Sequence, residues 1–151
     1  MATSDVTPRG SDRLPALRHA CVSDVMHLGV ISCSPETDLV TVARLMATHH
    51  IHAVVVSGIA QDRTGEHLTW GLVSDLDVVG AAQDPFETAV AGDLAATELV
   101  VVEPQEPLMH AAQLMAEHQL AHLLVVSPKS GSPVGIISTL DIAGCVAWGE
   151  A

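Results

Sequence analysis

Residues 71–77 read GLVSDLD and residues 135–141 read GIISTLD. Both stretches contain a glycine, two apolar residues, a serine, two further residues and an aspartate, in that order. The spacing from serine to aspartate is that of a helix capping box, in which the serine accepts a backbone N–H and the acid accepts one in return. Each stretch therefore predicts a strand that ends at the start of a helix.

The two stretches belong to a longer repeat. A shift of 69 residues lays VSDVM (22–26) on AGDLA (91–95), and it also aligns His49 with His118. The shift is 64 at the quoted stretches, because the predicted loop GIAQDRTGEHLT is longer than its counterpart SPKSGSP. We expect a flexible N-terminal tail with a short helix (1–19), a first repeat (20–81), a linker (82–89), a second repeat (90–148) and a C-terminal tail (149–151).

Both repeats follow the same order of predicted elements. Apolar residues spaced as on one face of a helix occur in each copy: Leu39, Val42, Ala43 and Met46 in the first, and Leu108, Ala111, Ala112 and Met115 in the second. Short apolar runs on either side predict strands, so each copy has the order β-α-β-β-α within an α+β fold. Because one copy alone is too small to bury its strands, we expect the copies to pack through them with pseudo-twofold symmetry.

Composition excludes several functional classes. The net charge is −12 with only six Lys and Arg residues, so the clustered positive charge that nucleic acids and anionic membranes attract is missing. No apolar run approaches the roughly 20 residues of a membrane-spanning helix. The three cysteines are odd in number and widely spaced, which favours free thiols in a reducing cytoplasm over a disulfide framework.

A tandem unit of this kind, closing each copy with Gly-apolar-apolar-Ser-x-x-Asp, resembles a pair of cystathionine β-synthase (CBS) domains, the Bateman module. The resemblance covers residues 20–147. It implies a regulatory protein that binds an adenosine-containing ligand (AMP, ADP, ATP or S-adenosylmethionine) in clefts between the copies and signals to a partner protein. It also implies a flat homodimer formed through helices, and on this sequence the candidate contacts are Val78, Val79, Ala82, Ile142, Val146 and Trp148.

The resemblance implies two ligand sites. One site holds Ser138, Asp141 and His122 on its ribose and phosphate side, and it is closed by Ser32, Ile51 and His52, of which Ser32 and Ile51 belong to the adenine pocket. The mirror site holds Ser74, Asp77 and His52, closed by Val101, Leu120 and Ala121. The chemistry is consistent with this assignment, since a helix N-terminus favours a phosphate and a carboxylate accepts hydrogen bonds from both ribose hydroxyls.

Departures from the family pattern narrow the range of expected ligands. The positions of a common Gly-x-x-x-x-Pro stretch are taken by His50 and Val55 in one copy and by Gln119 and Leu124 in the other. Neither motif carries a basic residue, which favours AMP or S-adenosylmethionine over a polyphosphate. The Asp141 site is expected to be the stronger, because Thr139 is neutral where the other copy has Asp75. We expect an AMP-like ligand to bind there more tightly near pH 6 than near pH 8 through His122.

Three alternatives stay open at this point. In the first, helix capping is the only role of the serine and aspartate in each motif. The clefts are then degenerate, and the protein is a structural dimeric interaction protein. Nine histidines offer ligands for Zn, Cu or Ni, although their placement at helix ends suits the helix dipole and we expect no metal site. A hydrolase using His–Asp pairs is the weakest alternative, because no Ser–His–Asp set, Walker loop or dinucleotide-binding glycine motif is present.

Overall fold

A computed structural model of the chain describes residues 15–62, 65–83, 86–95 and 99–149. In chain order its elements are α1 (Val22–Val25), β1 (His27–Leu28), β2 (Ser32–Cys33), α2 (Leu39–His49), β3 (Ala53–Asp62), β4 (Gly65–Ser74), α3 (Asp75–Ala81), a 3-10 helix (Phe86–Thr88), α4 (Ala91–Leu94), β5 (Val101–Val102), α5 (Leu108–His118), β6 (His122–Val126), β7 (Pro133–Ser138) and α6 (Thr139–Trp148). The α+β class and the duplicated β-α-β-β-α order, from β2 to α3 and from β5 to α6, confirm the sequence prediction.

The chain divides into two compact units. One lies within residues 30–99 and contains the motif of the first repeat; we call it the first-copy unit. The other lies within residues 1–29 and 100–151 and contains the second motif; we call it the second-copy unit. Each unit is built on one sheet, with strand order β2-β3-β4 in the first-copy unit and β1-β7-β6-β5 in the second-copy unit.

Pairing within the two sheets follows the same plan. The strand before the long helix runs parallel to the next strand, with Ser32 opposite Val55 in one sheet and Val101 opposite Leu124 in the other. A hairpin then adds the antiparallel strand that carries the motif. Since successive residues of a strand point to opposite faces, this register sets which residues accompany each motif serine on its face of the sheet.

The long helices bury the predicted stripes. In α2 the buried residues are Leu39, Val42 and Met46, and in α5 they are Leu108, Ala111 and Met115. Met46 packs in the core of the first-copy unit with Val54, Val56 and Val73, and Met115 packs in the second with Leu123, Val125 and Ile137. The alternating strand residues therefore supply one side of each core and the helix stripe supplies the other.

Two short segments join the unit of the opposite repeat. Val22 of α1 is buried in the second-copy core, while Ala91 of α4 is buried in the first-copy core. A helix of four residues is not stable by itself, so these contacts hold α1 and α4 in place. The sequence repeats predicted at 20–81 and 90–148 are thus not the same as the compact units, and their limits stay a prediction.

Three details differ from or lie beyond the sequence prediction. The long predicted loop GIAQDRTGEHLT is largely a ribbon, because β3 and β4 continue in register as far as the pair Asp62 and Gly65. Residues 17–19 form a turn in place of the predicted short helix, with the Ala20 amide donating to the Ala16 carbonyl at 3.0 Å. The tails at residues 1–14 and 150–151 lie outside the described residues.

Cys145 fixes the end of the N-terminal segment onto α6. Its thiol is buried and donates to the Pro15 carbonyl oxygen at 3.3 Å. Burial raises the pKa of the Cys145 thiol, and the nearby Asp24 carboxylate raises it further. The thiol therefore keeps the proton that this hydrogen bond needs, and all three cysteines of the chain are free thiols in the structure.

Candidate functional site

Both motifs form a complete capping box where a strand meets a helix. In the second-copy unit Ser138 is the N-cap of α6: its hydroxyl oxygen accepts from the Asp141 amide at 3.2 Å, and its own amide donates to Asp141 Oδ2 at 2.8 Å. The Ser138 hydroxyl also donates to the same Oδ2 at 3.0 Å. In the first-copy unit Ser74 and Asp77 make the same three hydrogen bonds at the same distances.

The capping boxes fix both carboxylates before any ligand arrives. Oδ2 of each aspartate already accepts two hydrogen bonds, whereas a carboxylate has about four acceptor positions over its two oxygens. A ribose would therefore find most of the remaining capacity on Oδ1. For Asp77, no hydrogen bond to Oδ1 comes from the described residues.

Asp141 has a partner that the sequence did not reveal. His27 Nδ1 lies 3.2 Å from Asp141 Oδ1, and the aspartate side chain is only 8% exposed. His27 reaches this place because β1 pairs antiparallel with β7, where His27 lies opposite Ile136. When the shift of 69 residues is extended to position 27, it aligns His27 with Ala96, so the histidine occurs in one copy only. The alignment does not reveal which residue His27 contacts.

The motif glycine of the second copy has a structural reason. A Cβ atom on Gly135 would overlap the carbonyl oxygen of His27, so β1 approaches β7 this closely only because the residue is glycine. The close approach of β1, which carries His27, to β7 therefore explains the glycine, and no ligand contact is needed to account for it.

His122 lies on the same sheet face as the second motif. It begins β6 directly opposite Ser138, so the two side chains are cross-strand neighbours. The imidazole is half-buried. The second-copy unit therefore brings together the three predicted ribose and phosphate residues, and it adds His27 to them.

The first motif has a different neighbour. His52 Nδ1 lies 2.8 Å from Asp75 Oδ2, and the Asp75 amide donates to the His52 carbonyl oxygen at 2.9 Å. Asp75, which takes the place of Thr139 in the second copy, is therefore paired with a histidine. Both side chains are more than half exposed, so the pair contributes little to stability.

The predicted adenine residues fall in both units. Ser32 and Ile51 belong to the first-copy unit, where Ser32 is exposed in β2 and Ile51 packs against the core. Val101, Leu120 and Ala121 belong to the second-copy unit and are exposed. The grouping of these residues into two adenine pockets stays a prediction.

Each unit also has an open groove where the long helix ends and the motif helix begins. In the first-copy unit the groove holds about 440 Å³, and its polar lining is His50, His52 and Asp75. In the second-copy unit it holds about 530 Å³, and the equivalent positions are Gln119, Ala121 and Thr139. His50 and Gln119 end their helices in the left-handed conformation, both with φ of 53°. The two grooves lie at equivalent places in the two units and differ in the charge of their lining residues.

The fold and the duplicated motif agree with a comparison against family models. The model described as CBS domain matches residues 22–84 and again residues 91–147. The chain belongs to the CBS domain family. This confirms the resemblance drawn from the repeated motifs.

Similar proteins place the chain among CBS domain pairs. Hypoxic response protein 1 of Mycobacterium tuberculosis is 32% identical over 124 residues, which is 80% of either chain. A crystal structure of Hypoxic Response Protein I with two coordinated zinc ions matches with a TM-score of 0.63 at 30% identity, covering 83% of this chain and 98% of that one.

Two further structures share the fold. The CBS domain pair of protein MJ0100, in complex with 5′-methylthioadenosine and S-adenosyl-L-methionine, matches with a TM-score of 0.71 at 19% identity over 85% of this chain and 96% of that one. The structure of CBSX2 in complex with AMP matches with a TM-score of 0.63 at 24% identity over 84% and 96%. CBS domain pairs of the same fold thus bind adenosine ligands.

The described ranges hold neither a cluster of metal-ligating side chains nor a helix suited to cross a membrane. Residues 15–62, 65–83, 86–95 and 99–149 contain no group of three or more His, Cys, Asp or Glu side chains placed to hold a metal ion. In the same part of the chain, no helix has the length and apolar character to cross a membrane.

Proposed function

We propose that the protein is a regulatory ligand-sensing module that binds an adenosine-containing ligand at the strand–helix junctions of its two CBS repeats. The observation that carries the proposal is the fixed Ser–Asp pair at each helix start, which presents a carboxylate oxygen together with the helix N-terminus. Such a junction suits a ribose and its phosphate. Family membership and the adenosine ligands of CBSX2 and MJ0100 support the same ligand class.

The ribose and phosphate contacts in this proposal are Ser138, Asp141 and His122 in one site and Ser74, Asp77 and His52 in the other. Ser32, Ile51, Val101, Leu120 and Ala121 are the proposed adenine contacts. AMP or S-adenosylmethionine fits better than ATP, because the chain has a net charge of −12 and neither motif contains a basic residue. The role is regulatory and not catalytic.

Signalling in this proposal runs through a cytoplasmic homodimer and a partner protein. Motif helix α3 exposes Leu76 and Val79, and motif helix α6 exposes Leu140, Val146 and Trp148. Such apolar side chains on helices favour a protein contact. Of the other predicted dimer contacts, Val78 and Ile142 pack partly against their own cores and Ala82 is exposed.

One observation favours a second candidate, a structural dimeric interaction protein with clefts that bind nothing. The capping boxes satisfy the serines and aspartates without any ligand, and Asp141 is almost fully covered. Under this alternative the duplicated motifs are retained for helix capping alone.

Thermal melting with a ligand panel separates the two candidates. The panel holds AMP, ATP, S-adenosylmethionine and 5′-methylthioadenosine, with GMP as the control for the base. A ligand at 100 times its dissociation constant stabilises the folded state by about 2.7 kcal/mol, so a clear rise in melting temperature with AMP and none with GMP is expected. Unchanged melting with every adenosine compound at millimolar concentration would show that the clefts are empty.

A further inference from the structure

His27 lies beside the carboxylate oxygen that the proposed ligand needs. Asp141 Oδ2 is engaged by the amide and hydroxyl of Ser138, so Oδ1 holds the free acceptor capacity. His27 Nδ1 lies 3.2 Å from that Oδ1. A ribose hydroxyl that approaches Asp141 therefore meets the imidazole at the same atom.

The fold holds His27 at this place without burying it. β1 is paired with β7 through His27 and Leu28, and the Gly29 amide adds a hydrogen bond to the Val134 carbonyl at 2.8 Å. The backbone is thus anchored, while the His27 side chain is 78% exposed and Asp141 is only 8% exposed. An exposed side chain on an anchored strand can change rotamer without breaking the strand pair, whereas Asp141 is held by its capping box.

We infer that His27 is a gating residue for the proposed adenosine site, competing with the ribose hydroxyls for Asp141 Oδ1. This inference rests on the proposed function. A protonated imidazole is a charged donor to the carboxylate and a neutral one is a weaker partner. The competition therefore strengthens as the pH falls, so that acid opposes ribose binding at this site.

The gate belongs to one copy. The repeat sets Ala96 at the place of His27, so the Asp77 site has no histidine of this origin. His27 is therefore a further difference between two junctions that already differ at Asp75 and Thr139.

Few other titratable groups are carried by the elements around Asp141. The β7 sequence PVGIIS has none, and β6 contributes His122, which lies opposite Ser138. On α1 the Asp24 carboxylate accepts the Cys21 amide at 2.7 Å, and α6 itself adds the buried Cys145. The titratable side chains of α5 are His110, Glu117 and His118.

The test is calorimetric titration with 5′-methylthioadenosine at pH 6 and pH 8. This probe has a ribose but no phosphate, so neither phosphate ionisation nor a His122–phosphate contact enters the comparison. The unaltered protein is expected to bind about threefold more weakly at pH 6, the size typical of an exposed ion pair. His27→Ala is expected to bind equally at the two pH values, and more tightly than the unaltered protein at pH 6.

His110→Ala is the matched control. His110 Nδ1 pairs with Glu106 Oε1 at 2.7 Å in the same unit, so this variant also removes an exposed histidine–carboxylate pair. It is expected to keep the pH dependence of the unaltered protein. Loss of the pH dependence in His110→Ala as well as in His27→Ala would assign the effect to histidine loss in general and overturn the gate.

The remaining outcomes separate the gate from the proposed function. If His27→Ala keeps the pH ratio of the unaltered protein, the gate is wrong while ligand binding stands. If 5′-methylthioadenosine binds no variant, the ribose contact at Asp141 is wrong. The melting experiment with AMP then decides independently whether the proposed function falls too.

Discussion

Ser74 at the start of α3 and Ser138 at the start of α6 make the same three hydrogen bonds to their aspartates at the same distances. Around these shared boxes the charges differ. Ser74 is followed by Asp75, which pairs with His52, while Asp141 is paired with His27 and followed by no second acid in its helix.

The difference shows which features a repeat preserves. Capping depends on residues three positions apart, so any copy of the motif reproduces it. Charge around the site depends on single positions that differ between the copies. Asp75 of the first copy corresponds to Thr139 of the second, and His27 corresponds to Ala96. Ligand preference and pH response are therefore expected to differ between two junctions of equal geometry.

The largest effect is expected where the copies are alike. Met46→Ala and Met115→Ala each remove a buried side chain from equivalent helix positions and are expected to lower the free energy of unfolding by about 2–5 kcal/mol. Urea denaturation followed by circular dichroism measures this. Met109→Ala, on the exposed face of α5, is the control and is expected to change stability by less than about 0.5 kcal/mol. A loss confined to one of the two buried positions would break the equivalence of the copies.

The next effect separates the two junctions by ligand. Asp141→Ala is expected to weaken AMP binding at the stronger site by about 2–4 kcal/mol, because it removes a charged acceptor of ribose hydroxyls. Asp77→Ala removes the same capping contacts from the first copy and is expected to leave that site nearly intact. Calorimetric titration of both variants with AMP decides the matter. The assignment of the stronger site is wrong if Asp77→Ala abolishes it and Asp141→Ala spares it.

The smallest effect distinguishes the starts of the two long helices. Asp38 caps α2 by accepting the Thr41 amide at 2.7 Å, whereas Pro107 at the equivalent place in α5 has no side-chain bond. The Thr41 amide, aided by its hydroxyl and by Arg44, lowers the pKa of Asp38. The stability that this cap contributes is fully present above the unfolded-state aspartate pKa of about 3.9. It is lost as the pH falls through the lower pKa of Asp38 in the folded state.

Thermal melting at pH 7 and pH 3 tests this difference. Asp38→Ala is expected to lower the melting temperature at pH 7 and to lower it less at pH 3, because the stability from the charged cap decreases once the pH is below the usual aspartate value. Pro107→Ala changes no titratable group and is expected to show no such dependence. An equal deficit for Asp38→Ala at both pH values would mean that the cap does not depend on its charge.

The sequence by itself determined the repeated β-α-β-β-α order, the helix stripes and both capping boxes. These features depend on residues a few positions apart, through helical spacing for Met46 and Met115 and through the Ser-x-x-Asp hydrogen bonds at each motif. The family followed from the same local features, because two copies of the motif occur at matching places.

Tertiary structure alone decided what surrounds each motif. The contact of His27 with Asp141 depends on β1 pairing with β7, and that pairing needs the close approach that Gly135 allows. The His52–Asp75 pair and the placement of α1 and α4 in the units of the opposite repeats are also contacts between residues far apart in the chain. No local pattern encodes such contacts, because they depend on which strands and helices pack together and not on the spacing of neighbours.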